Sequence, residues 1–257
     1  IILDIGGGST ELILANSEDT RALTSSRIGA VRLKNDFFQD EPLTNSRLDF
    51  IKTFIQGSLE PSIGKIKRRL DKNESISMIA TSGTAIALGN LISSDLGEPK
   101  QKMHGYKFEK SNLEALLSKL IKLKPFDLRK IPSLSERRSE IIIPGGLILN
   151  TSMEMLNIST LTISERALRE GLVIDWMIRK GMLTSRFSLQ SNIRKTTVMH
   201  QADKFSVDKV RAERVASLAL QIHDQTRYVL HKDYKNKGRN LLWAACFLCN
   251  TGKQINL

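Results

Sequence analysis

The segment Asp4-Ile5-Gly6-Gly7-Gly8-Ser9-Thr10-Glu11-Leu12 limits what this 257-residue chain can fold into more than any other stretch. Ile1-Ile2-Leu3 precede it and Ile13-Leu14-Ala15 follow, so two apolar strands reverse through a run of glycines, as in a hairpin. A single Gly-Gly or Asn-Gly would be enough to turn the chain, and a plain tight hairpin is the simpler alternative. Three glycines go further. They strip every Cβ from the turn, so the backbone can approach a ligand closely and gather N–H groups into one concavity, which suits phosphate. Ser9 and Thr10 add hydroxyl donors. Asp4 closes the first strand and Glu11 opens the second, so hairpin pairing sets two carboxylates facing one another. Hard oxygen ligands beside phosphate suit Mg²⁺ or a similar divalent cation. The loop is not a Walker A sequence, because no Gly-Lys-Ser/Thr closes it. Nor is it a dinucleotide fingerprint, because a strand rather than a helix follows.

A second turn, Thr81-Ser82-Gly83-Thr84, follows a strand expected over Ile76–Ala80 and opens a helix expected over 85–93. The free amides and the positive end of a helix macrodipole form an anion site in principle. Ordinary N-capping by Ser or Thr explains the same residues. Together with the first loop, Ser82, Gly83 and Thr84 can clamp one phosphate chain from the opposite side.

Elsewhere the patterning reads as mixed α/β at the front and all-α behind. Thr44 caps a helix over 44–57 with Leu48, Ile51 and Ile55 on one face, and a separate helix follows Pro61 and ends in the basic run Lys65–Arg69. Ser111 and Glu114 have capping-box spacing for a helix that runs to about 123 and stops at Pro125. Pro144-Gly145-Gly146 interrupts an apolar stretch, with a helix starting near Gly145. Leu161–Ile163 reads as a strand and Arg166–Arg179 as a helix. The Ser- and Thr-rich stretch 184–191 marks a boundary. Behind it, Val215, Leu218, Ala219 and Ile222 form a stripe on a helix that begins near Val207-Asp208. Leu241–Leu248 is apolar all round, hence expected to be buried.

Charge follows the same division. The net charge of +12 is concentrated at the rear: 15 basic and 5 acidic residues lie from Arg179 to Leu257, against 24 and 22 ahead of them. Such a bias favours an anionic partner or, more simply, marks a solvated basic face. The two cysteines, Cys246 and Cys249, cannot build a disulfide framework; they fit a reducing, cytoplasmic setting and read as small buried hydrophobes on a helix. No apolar run is long enough to span a bilayer, so no membrane partner is expected. His200 and His223 lack ligand spacing. Arg138 and Arg169 read as ion-pair residues, either of which has the reach for a phosphate. The chain starts inside an apparent strand without an initiator Met and stops after an apolar helical run, which reads as an interior piece of a longer protein.

Taken together, Asp4–Leu12, Ile28-Gly29-Ala30-Val31-Arg32-Leu33, Ala80–Leu88 (ATSGTAIAL), Glu140–Leu149 (EIIIPGGLIL) and Ser164–Asp175 (SERALREGLVID) resemble the exopolyphosphatase/guanosine pentaphosphate phosphohydrolase family, in order and spacing. The resemblance covers the whole chain and is clearest over residues 1–178. It implies a ribonuclease-H-like domain of the actin/sugar-kinase superfamily over 1–182, the second half of the family's catalytic core, and a partial helical HD-like domain over 183–257. It implies that Asp4 and Glu11 are metal-linked carboxylates, with Glu11 the catalytic candidate of this chain. Gly6, Gly7, Gly8, Ser9 and Thr10 match one phosphate loop, and Ser82, Gly83 and Thr84 a later one. The family's general-base glutamate and its first phosphate loop are expected upstream of Ile1, so the chain alone is expected to be inactive. The implied reaction is metal-assisted attack of water on the terminal phosphate of inorganic polyphosphate or guanosine pentaphosphate, with Mg²⁺ as cofactor. Nucleic acid is not an expected partner, and a homodimer is compatible with the family.

The rear departs from the family pattern. An HD site needs a His and then a His-Asp pair to hold cations. Arg211 stands at the first position and Cys249-Asn250 at the second, so this domain reads as noncatalytic, its basic surface guiding an anionic chain. Two other functions compete with hydrolysis. One is a nonenzymatic regulator that binds polyphosphate or an alarmone. The other is a sugar or acetate kinase of the same superfamily, which the contiguous Gly-Gly-Gly-Ser-Thr-Glu fits less well.

Overall fold

The computed structural model describes residues 1–16, 20–38, 43–99, 102–179, 182, 189–227, 229–230 and 237–254. The chain divides into two compact units, one of residues 1–16 with 20–185 and one whose described residues start at Leu189.

The first unit begins with β1 (Ile2–Ile5) and β2 (Thr10–Ala15), an antiparallel hairpin, and continues into β3 (Thr20–Ser26), antiparallel to β2. Two helices follow, α1 (Ala30–Phe37) and α2 (Asn45–Lys67), then β4 (Met78–Thr81) and α3 (Gly83–Asp95). Next come β5 (Lys107–Glu109), α4 (Lys110–Leu120), the short α5 (Pro125–Arg129) and α6 (Glu136–Ser139), then α7 (Ile142–Met155), β6 (Thr160–Ser164) and α8 (Leu168–Arg179). The six strands form one sheet in the order β3-β2-β1-β4-β6-β5, with β1, β4 and β6 parallel to one another. An antiparallel hairpin that continues into parallel crossovers is the mixed layout expected of the front half. Strand alternation drives it. Leu3 and Ile5 of β1 and Leu12 and Leu14 of β2 are almost wholly buried while their neighbours are partly exposed.

Three front-half expectations change. The helices foreseen on either side of Pro61 are one helix, α2, with Pro61 inside it. Proline in a helix interior costs about 3 kcal/mol. Ile51, Ile55, Leu59, Ile63 and Ile66 nonetheless lie on one buried face that runs through the proline, and that burial outweighs the break. Helix α4 starts at Lys110, capped by Glu109, whose amide donates to Asn112 Oδ1 at 3.0 Å. The capping box is thus Glu109–Asn112, two residues ahead of the expected Ser111–Glu114, and Glu114 instead accepts from Lys110 Nζ at 2.6 Å. Helix α7 starts at Ile142, three residues before Gly145. Pro144 falls in its first turn, where a missing N–H costs nothing. β3 and α1 were not foreseen.

The second unit holds α9 (Leu189–Lys204), α10 (Lys209–Gln225) and α11 (Lys237–Leu248). Asp208 caps α10, accepting from the amides of Val210 and Arg211 at 3.1 Å. The expected stripe is not the packed face: Leu218 and Ile222 are 56% and 64% exposed. Ala212 and Ala216 are buried instead, and Ala212 packs with Val198, Ala202 and Phe247. Alanines let helices approach closely, so the small residues win the interface. Helix α11 is likewise two-sided, with Phe247 buried and Leu241 exposed. Cys246 is half-buried and Cys249 exposed, so neither is the fully buried hydrophobe expected. His223 sits 3.4 Å from the Asp224 carboxylate, and the His200 side chain and most of the 184–191 boundary lie outside the described residues. Among the described residues no helix is long and apolar enough to cross a membrane.

Candidate functional site

β1 and β4 run parallel with Asp4 opposite Thr81, so the loops that follow them, at residues 6–9 and 82–84, leave the same edge of the sheet side by side. A cavity of about 290 Å³ lies between them, lined by Gly6, Gly7, Val31, Gly83, Thr84 and Arg138 among others. The two glycine-containing turns therefore share one space although Gly7 and Gly83 lie 76 positions apart.

The first loop closes on itself, with the Gly6 amide donating to the Ser9 carbonyl at 2.9 Å. It is then pinned from behind by α1. The Ala30 amide donates to the Gly6 carbonyl at 2.9 Å, and the Val31 and Arg32 amides donate to the Gly7 carbonyl at 3.0 Å. Three first-turn amides of α1, which would otherwise need a cap or an anion, are thus spent on the loop's carbonyls. The loop amides are left over: among the described residues those of Gly7, Gly8 and Ser9 have no protein acceptor. Gly29 permits the contact. A Cβ there would stand 2.5 Å from the Gly7 carbonyl carbon and oxygen, closer than any side chain can approach. Sequence patterning pointed to Gly29 only as part of a family motif; its reason is this contact.

Asp4 and Glu11 are paired across the hairpin, which puts both side chains on one face of the sheet. Glu11 Oε1 accepts from Ser9 Oγ at 2.7 Å and from Ser25 Oγ at 2.8 Å, so two hydroxyls fix its direction. Burial, and then the charge of Glu11, push the Asp4 carboxyl above its ordinary range. Two half-buried carboxylates that repel one another, neither of them in an ion pair among the described residues, fit a divalent cation by chemistry. They are two donors, and the described residues contain no group of three metal-ligating side chains. Thr10 is set apart from its neighbours. It is fully buried, and its hydroxyl donates to the Ile28 carbonyl at 2.6 Å.

In the second loop Ser82 Oγ accepts from the Ala85 amide at 3.1 Å and caps α3. The cap is the ordinary alternative, and it leaves the Gly83 and Thr84 amides at the open end of the helix. Thr84 is buried and lines the cavity. Arg138 closes the other side. A Cβ on Gly83 would lie 2.9 Å from its Nη2, and no carboxylate among the described residues forms an ion pair with it. The neighbouring carboxylates are engaged elsewhere, Glu140 by Lys34 at 2.6 Å and Glu136 by Arg129 at 3.7 Å. Arg138 is thus a cation beside two sets of free amides rather than an ordinary ion-pair residue. No spacing in the sequence ties it to Gly83; only the packing of α3 against the 135–141 segment does. Arg169, its companion in sequence, is exposed on α8.

A sequence model of the Ppx/GppA phosphatase family matches residues 1–180, and one of domain III of the Ppx/GppA phosphatases matches residues 193–257. Among solved structures, the PPX-GPPA enzyme of Aquifex aeolicus superposes with a TM-score of 0.59 at 23% identity, covering 68% of this chain and 56% of that one. An exopolyphosphatase from Cytophaga hutchinsonii superposes with a TM-score of 0.61 at 21% identity, covering 70% and 56%. This chain thus spans a little over half the length of those structures. At such identities the likeness speaks to the fold.

Proposed function

Because the chain belongs to the Ppx/GppA phosphatase family, we propose that it supplies one wall of a site that removes the terminal phosphate from inorganic polyphosphate or guanosine pentaphosphate by attack of water. One observation supports this reading: Gly6 and Gly7 of the first loop, Gly83 and Thr84 at the open end of α3 and the unpaired Arg138 line one cavity, and the paired carboxylates Asp4 and Glu11 flank that first loop in sequence. Amides and guanidinium donate to phosphoryl oxygens, where negative charge gathers as the anhydride breaks. Asp4 and Glu11 would hold a divalent cation such as Mg²⁺, which supplies further charge neutralisation at those oxygens. The hydroxyls of Ser9 and Ser25 hold Glu11 ready for that role, and Ser82 orders the start of α3. No residue of this chain is assigned as the water-activating base.

The basic second unit fits a guiding role for long anionic chains, through the exposed Lys204, Lys209, Arg211 and Arg214. A cytoplasmic setting and a homodimer accompany the reading; cell fractionation and light scattering check them. The main test is Mg²⁺-dependent phosphate release by the intact protein from long-chain polyphosphate and from guanosine pentaphosphate, beside Glu11→Gln. The expected result is a loss of about 100-fold or more in Glu11→Gln. The ratio of the two parent rates then names the substrate. Binding without release from either substrate would replace hydrolysis by a sensing role.

A further inference from the structure

A second cavity, of about 610 Å³, lies in the first unit among α1, the α4–α5 turn and the start of α7. Its floor is apolar, made by Phe38, Leu43, Ile121, Leu128, Ile143 and Pro144. Leu128 and Ile143 belong to the main hydrophobic core, so the floor is continuous with the rigid interior. Among the described residues its rim is cationic, with Lys34, Lys122, Lys124 and Arg129 around one acid, Glu140. Glu140 is already claimed: it accepts from Lys34 Nζ at 2.6 Å and from Arg129 at 3.4 Å, and these cations hold its carboxyl below the ordinary range. Lys122 and Lys124 have no acidic partner among the described residues.

The volume is that of a small-molecule site, and the lining has its character, a mostly apolar bowl with a few charged groups at the mouth. Inorganic polyphosphate would leave such a floor unused, since it has no apolar part. A neutral hydrophobe would leave the surplus of positive charge unanswered. We propose that this cavity binds a small amphipathic organic anion, an apolar ring or short chain that carries a carboxylate, sulfonate or phosphate group. The apolar part lies against Phe38, Leu43 and Ile143, and the acidic group pairs with Lys122 and Lys124 at the rim. The site is separate from the phosphate cavity and does not depend on how that cavity is read. It does share two walls with it. Lys34 lies on α1, whose first turn holds the glycine loop, and Glu140 lies two residues beyond Arg138.

The aromatic sulfonate 8-anilinonaphthalene-1-sulfonate is a suitable probe, its fluorescence titrated against the intact protein. Lys122→Glu/Lys124→Glu, both exposed positions, should weaken its binding by about tenfold or more. Leu43→Trp, which fills the bowl from its half-buried edge, should also abolish the high-affinity phase. Leu172→Ser on the exposed face of α8 should leave that phase unchanged. Inorganic phosphate should fail to displace the probe. An affinity unaffected by both cavity variants, or lost only in Leu172→Ser, would overturn the proposal, because the probe would then sit on exposed apolar surface elsewhere.

Discussion

The edge of the sheet and the rear helices treat the same kinds of residue in opposite ways. At the sheet edge, apolar side chains are spent on the core and, among the described residues, polar groups are left over: three loop amides, a guanidinium and the Asp4 carboxylate that faces Glu11. In the rear unit the cationic side chains Lys204, Lys209, Arg211 and Arg214 are exposed and apolar side chains are left over. Val210, Leu218, Ile222 and Leu241 are all more than half exposed, while small alanines fill the contact. Unsatisfied polar groups at and around a cavity point to a polar ligand. Exposed apolar residues on a solvated helix point to nothing by themselves. The contrast supports the proposed phosphate site in the front unit, even though most of the net positive charge lies in the rear.

The largest expected effect tests the core side of this contrast. Leu59→Ala on the buried face of α2 should cost about 2–5 kcal/mol of stability, read by urea unfolding. Gly29→Ala comes next. Its Cβ would collide with Gly7, which should cost about 1–3 kcal/mol and displace the loop, so phosphate release should fall further than stability alone explains. A variant that keeps full activity would show that the α1–loop contact does not matter to the site.

Asp4→Asn sharpens the comparison by its sign. The Asp4 pKa is raised on folding, so the native state binds more protons than the unfolded chain above the ordinary carboxylate value of 3.8. Its contribution to stability therefore falls as pH climbs from that value through the raised one. Asparagine carries no such loss. Asp4→Asn should melt higher than the parent protein at neutral pH without divalent cations, and be inactive. Mg²⁺ should raise the melting temperature of the parent protein and not of Asp4→Asn. The smallest effect belongs to the rear. Leu218→Ser/Ile222→Ser should change stability by no more than about 0.5 kcal/mol. A larger loss would mean that the exposed stripe is covered in solution.

Period-two alternation made β1 and β2 legible, and with them the pairing of Asp4 and Glu11. The turn at residues 81–84 was legible from its hydroxyls and glycine. What escaped depended on contacts distant in sequence. Pro61 argued for a break, and only the packing of the whole α2 face reverses that local preference. The α10 stripe had good periodicity, but periodicity does not reveal which face meets a partner, and Ala212 and Ala216 took that place. In sequence Arg138 is any arginine among neighbouring acids; only the fold pairs those acids with Lys34 and Arg129.

The most direct test of where phosphate is held is calorimetric titration of the intact protein with tripolyphosphate in the presence of Mg²⁺. Two variants are compared with the parent protein, Arg138→Ala at the sheet edge and Lys209→Ala/Arg211→Ala on α10. Arg138→Ala should bind about tenfold more weakly or worse, with an unchanged melting temperature, and the α10 variant should bind like the parent protein. Weakened binding in the α10 variant with normal binding in Arg138→Ala would contradict the account and move the phosphate site to the basic helices.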